Sequence, residues 1–180
     1  MMPEVTRRQR LTHTVLRHLG ESPPYADDSQ GVDLNRRIEV QKLIYLAQEA
    51  LRRHRMTLRY GDYNWYVRGP YSPAAARDCY ALDDIGADAI ETPELREEAV
   101  EALTPVEAFR ETKPDDLPKY RWLELIASLH YHLTRSRAPG SGSDELADEE
   151  VQTFLRHKAG FSPQDVRAAW EALRQGGLLE

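Results

Sequence analysis

The stretch that most constrains the fold runs from Asn35 to His54. Val40, Leu43, Ile44, Ala47 and Leu51 fall at the i, i+3, i+4, i+7 and i+11 positions of a helix, and Ile38 and Tyr45 widen that stripe. A stripe of this width must be covered by other elements. A second stretch, Tyr120 to Thr134, repeats the spacing with Trp122, Leu125, Ile126, Leu129 and Leu133. The two helices are expected to pack on each other as the core of a compact, mainly helical α+β domain. Asn35 is placed to cap the first helix. The basic run Arg52, Arg53, His54 and Arg55 suits the negative end of its dipole.

Around this pair the spacing predicts a helix over Val5–Leu19, stopped by Gly20, and another from Pro73 to Leu82. Residues 92–103 read as a helix capped by Thr92, followed by an irregular stretch with a short helix over 106–110. Leu58 to Arg68 changes to period two, with Tyr63, Trp65 and Val67 on one side and Asn64, Tyr66 and Arg68 on the other. This predicts an antiparallel hairpin over 57–68 that turns at Gly61-Asp62. Ser136 to Ser143 has the composition of a flexible linker. Asp144–Lys158 and Ser162–Gln175 close the chain as a helical pair packed on the main domain over 1–135. Phe161-Ser162-Pro163 echoes Tyr71-Ser72-Pro73. Aromatic-Ser-Pro starts a helix in either place, because serine caps and proline fits the first turn, so shared capping chemistry explains the echo better than a repeat does.

Charge and cysteine content narrow the function classes. The net charge of −6 is spread unevenly: residues 1–60 hold 11 Lys/Arg against 7 Asp/Glu, and residues 61–120 hold 6 against 14. The chain as a whole is not the strongly basic domain that nucleic acid would select, although its first third carries a positive surplus. One cysteine, Cys79, leaves no intramolecular disulfide, and the N-terminus lacks an apolar signal segment. No run approaches the roughly 20 apolar residues of a membrane helix. A cytoplasmic protein with no membrane partner is expected.

Tyr63 to Pro73, YNWYVRGPYSP, is the candidate site. Gly69-Pro70 is read as the end of the strand and Ser72-Pro73 as the start of the next helix. Arg68 would then stand beside a helix N-terminus, where free N–H groups and the positive dipole end gather. Such a nook suits a phosphate or a partner's carboxylate, with Tyr66 and Tyr71 as walls. In the plainer reading, Arg68 pairs with an acid from 83–116 and the aromatics fill the core.

The helix VQKLIYLAQEA, Val40 to Ala50, followed by an aromatic strand and GPYSP, resembles the Panacea antitoxin domain and its uncharacterised bacterial relatives with a G-P-Y-S motif. Gln41, Lys42, Leu43, Tyr45, Gln48, Gly69 and Pro70 carry the resemblance, which covers residues 36–82. Val40, Tyr66 and Arg68 depart from the commonest pattern. The resemblance implies a non-enzymatic bacterial or phage module in a toxin–antitoxin or defence context. Such a module binds another protein, a toxin or defence component, in some cases as a proteolytic adaptor. The partner- or anion-binding set is therefore Lys42, Tyr66, Arg68, Gly69, Pro70, Tyr71 and Ser72.

No catalytic motif, cofactor or metal site is read from the chain. His130 and His132 are two apart on a helix and point to different sides. Cys79 reads as a small buried residue. Asp83-Asp84 and Asp115-Asp116 are sequence neighbours only, whereas metal-dependent hydrolysis needs several converging carboxylates. The rival function is a DNA-binding regulator. The ending SPQDVRAAWEALRQGGLLE resembles the helix, turn and strand of a winged helix, and a basic face of Arg7, Arg8, Arg10 and Arg17, with Arg36 and Arg37, would supply phosphate contacts.

Overall fold

The computed structural model describes residues 4–138 and 145–179. Those residues form a mainly helical domain of seven helices with one small antiparallel hairpin. The helices are α1 (Arg7–His18), α2 (Leu34–Arg53), α3 (Pro73–Ile85), α4 (Glu97–Ala108), α5 (Lys119–Ser136), α6 (Asp148–His157) and α7 (Pro163–Gln175). The hairpin joins β1 (Asn64–Tyr66) to β2 (Gly69–Tyr71). None of the described helices is long and apolar enough to cross a membrane.

Helix α2 lies at the centre. It packs on α5 and α4, and also touches α1, α3 and β2. Being covered on several sides, it buries every residue from Val40 to Gln48, not only one stripe. Leu43, Ile44, Leu125, Ile126 and Leu129 are fully buried where the two core helices meet. Each such side chain contributes roughly 1.5–3 kcal/mol. Helix α7 packs on α5 and its Val166, Ala169 and Leu173 are buried in the common cluster, so the C-terminal pair shares the main core. Of the expected linker, Ser136 ends α5 and Arg137 forms a bidentate pair with Glu150 at 2.8 Å, while residues 139–144 lie outside the described residues.

Several boundaries differ from the sequence reading. Asp33, not Asn35, caps α2, accepting from the Arg36 N–H at 2.7 Å. Helix α4 starts at Glu97 with no side-chain cap and runs on through Pro105, so Thr92 does not start it and 104–108 is helical. Ser72 and Ser162 both cap their helices ahead of a first-turn proline, as the echo implied.

The hairpin is also displaced. It occupies 64–71, not 57–68, and turns at Val67-Arg68, not at Gly61-Asp62. Two local facts prevent a strand at 57–60. Arg59 has φ of 63°, which breaks an extended run. Gln48 holds both backbone groups of Tyr60, donating to its carbonyl at 2.7 Å and accepting from its N–H at 2.8 Å. Pro70 stands inside β2 opposite Trp65. A two-stranded ribbon consists only of edges, where proline is tolerated.

Candidate functional site

Four polar residues of α2, at 41, 42, 45 and 48, carry the segment from Tyr60 to Ser72 and the C-terminal end of the chain. Gln48 pairs with the Tyr60 backbone. Gln41 reaches both backbone groups of Ser72 at 3.4 Å. Lys42 Nζ donates to the Pro70 carbonyl at 2.7 Å. Tyr45 donates to His130 Nδ1 at 2.8 Å, and His130 Nε2–H in turn donates to the Leu178 carbonyl at 3.1 Å. Burial drives the imidazole pKa down to about 3, so both ring nitrogens serve the neutral form. Each of these side chains satisfies a group that would otherwise be buried unpaired.

A second set holds the turn. Glu124 of α5, 1% exposed, pairs with Lys158 at 2.6 Å, Arg121 at 3.0 Å and Arg68 at 3.5 Å. Lys158 also donates to the Val67 carbonyl at 2.8 Å. Gly69 takes φ of +82° against α5, where an added Cβ would stand 2.1 Å from Ser128 Oγ. The turn is thereby fixed between the end of α6 and the middle of α5.

The expected anion nook at the α3 N-terminus is filled by the chain itself. Asp62 accepts from the Ala74 N–H at 2.9 Å and from the Ser72 hydroxyl, while Ser72 Oγ accepts from the Ala75 N–H at 2.9 Å. Arg68 sits in the turn rather than at a strand end, and the acid it meets is Glu124 of α5, not one from 83–116. Gly69, Pro70, Ser72 and Lys42 are buried and position the hairpin. Of the seven expected residues, Tyr66, Arg68 and Tyr71 reach the surface, with Tyr66 and Tyr71 edge to face at 5.1 Å between ring centres.

These three residues line a cavity of about 420 Å3 between the hairpin, α2, α3 and the loop at Tyr25-Ala26. Six large apolar side chains are exposed among the described residues, and four of them, Leu34, Tyr66, Val67 and Tyr80, surround this one cavity. Leu34 and Tyr80 were missed in the sequence because they belong to helices whose buried faces dominate the pattern. Asp83 holds the loop wall, accepting from the N–H groups of Tyr25, Ala26 and Asp27 at 2.7, 2.6 and 2.9 Å. Arg37 stands at the rim, bonded to the Tyr80 hydroxyl at 3.2 Å and paired with Asp28. Cys79 also lines the cavity, and burial pushes its thiol pKa up, away from the nucleophilic form.

The other expected residues are used differently. Arg8 is committed to Asp78 at 2.6 Å and stacks over Tyr60. Arg7 is exposed and Arg10 is half-buried. After α7 the chain turns at Gly176-Gly177 and buries Leu178, and the described residues that follow α7 form no strand. No three His, Cys, Asp or Glu side chains among the described residues gather as a metal-holding group. Compared with protein-family models, curated proteins and solved structures, the chain matches none of them.

Proposed function

We propose that the protein is a non-enzymatic protein-binding module, antitoxin- or adaptor-like, in a bacterial or phage defence or toxin–antitoxin context. The defence context rests on the resemblance carried by Gln41, Lys42, Leu43, Tyr45, Gln48, Gly69 and Pro70. The binding face rests on one observation: among the described residues, four of the six exposed large apolar side chains ring a single cavity beside the hairpin turn. Scattered exposed apolar residues need no explanation, but a cluster around a concavity marks an interaction site. The occupant is a partner protein that inserts an apolar side chain between Leu34, Tyr66 and Tyr80. The exposed guanidinium group of Arg68 at the rim orients an acidic neighbour of that side chain.

The DNA-binding reading draws less support, because Arg8, Arg36 and Arg37 of its basic face each pair with an acid of the chain and leave Arg7 and Arg17 as its exposed members without an ion pair among the described residues. Affinity capture from the native cell tests the proposal. Arg68→Ala and Tyr71→Ala are expected to lose the partner while keeping the thermal midpoint of the parent chain. Normal capture by both variants, or their unfolding, removes the hairpin face as the site.

A further inference from the structure

A second concavity, of about 480 Å3, is built from other residues, between α1, the segment after α2 and the segment before α4. Its floor is apolar, with the half-buried Leu11, Met56 and Leu95 over the buried Val15, Leu51 and Leu58. Its rim is cationic. Arg7, Arg55, Arg59 and Arg96 all line it, all are exposed, and none has an ion-pair partner among the described residues. A fifth arginine, Arg8, is occupied by Asp78, and the one acid on the rim is the exposed Glu94. Four unneutralised guanidinium groups around one groove stand out in a chain whose net charge is −6.

The backbone adds a second observation. Arg55 and Arg59 are the two described non-glycine residues with positive φ, at 59° and 63°. That conformation costs a side-chain-bearing residue roughly 1–2 kcal/mol, and such strain clusters at functional sites. Both strained positions place an arginine on this groove.

We infer that the groove binds an acidic segment of a protein partner in which apolar and carboxylate side chains interleave. The apolar groups cover the leucine floor and the carboxylates meet the four arginines. Charge complementarity selects an anion. The floor selects a polypeptide over nucleic acid, because no aromatic side chain lines the groove to stack a base. This surface is separate from the hairpin face, and groove variants should leave capture through the hairpin unchanged.

The test is fluorescence anisotropy on the full chain with a short labelled peptide of alternating leucine and glutamate. The comparison probes are its lysine counterpart, a single-stranded DNA and phosphatidylserine vesicles. The glutamate peptide should bind and the lysine peptide should not. Arg55→Gly with Arg59→Gly should weaken binding about tenfold, as expected for two exposed charge pairs. Because glycine suits positive φ, that double variant should hold or raise the thermal midpoint. Arg7→Ala with Arg96→Ala, at positions of ordinary φ, should weaken binding similarly. No binding of the glutamate peptide, binding unchanged in both double variants, or tighter binding to DNA or vesicles would overturn the inference.

Discussion

Lys42 and Pro70 are joined inside the core, the ammonium group donating to the proline carbonyl at 2.7 Å with only 1% of the lysine exposed. No described acid forms an ion pair with Lys42. Burial, reinforced by repulsion from Lys158 and only partly offset by Glu124, lowers its pKa from 10.5 to about 7. At Lys42 the folded chain therefore holds fewer protons than the unfolded one between about pH 7 and 10.5. This group should raise stability with pH by at most ~1.4 kcal/mol per unit, most clearly between about pH 7 and 9, below the range where the Cys79 thiol and the tyrosine hydroxyls, raised by burial, act in the opposite sense. Urea unfolding across the range should show the rise, and Lys42→Met should flatten it.

Gly69 meets Ser128 more closely than any side chain allows. An added Cβ would fall 2.1 Å from Ser128 Oγ at a backbone φ of +82°. Gly69→Ala is expected to cost about 2–4 kcal/mol from the backbone conformation and the overlap together. Ser128→Ala should rescue it only in part, since Ser128 Cβ itself would lie 3.2 Å away. Thermal denaturation of the two single variants and the pair measures this.

Glu124 neutralises Lys158 and Arg121 in the interior beneath the turn. Glu124→Gln leaves those cations without their acid and should cost roughly 3–5 kcal/mol. Adding Lys158→Met removes the most deeply buried of them. The pair should therefore be less destabilised than Glu124→Gln alone, a coupling that a double-mutant cycle reads directly.

The long helices were legible because their apolar spacing reports burial directly. Leu43 and Leu129 were placed in the core by spacing alone, and Ser72-Pro73 and Ser162-Pro163 mark helix starts by local chemistry. The hairpin was not legible in register. The alternation of Tyr63, Trp65 and Val67 resembles a half-buried strand, yet Trp65 and Val67 are exposed while Tyr63 is buried. What sets the turn is non-local: Asp62 reaching α3, Lys158 reaching Val67, and Gly69 against Ser128. Two polar residues set within buried helical runs, Lys42 beside Leu43 and Glu124 between Leu123 and Leu125, were the available signal. An ionisable group there must find a partner inside the fold. The residues that carry the family resemblance act in this same way: Gln41, Lys42, Tyr45 and Gln48 tie the hairpin segment and the C-terminal end to α2. Tyr66, Val67, Leu34 and Tyr80 then form the exposed face.

The most direct measurement of that face is photocrosslinking in the native cell, with a crosslinking amino acid at Val67, 86% exposed at the turn, and a control at Gln164, exposed on α7. A discrete protein adduct from position 67, lost on Tyr66→Ala and not seen from position 164, is the predicted result. Adducts that are equal at both positions, or that persist with Tyr66→Ala, would contradict the hairpin face as the partner-binding surface.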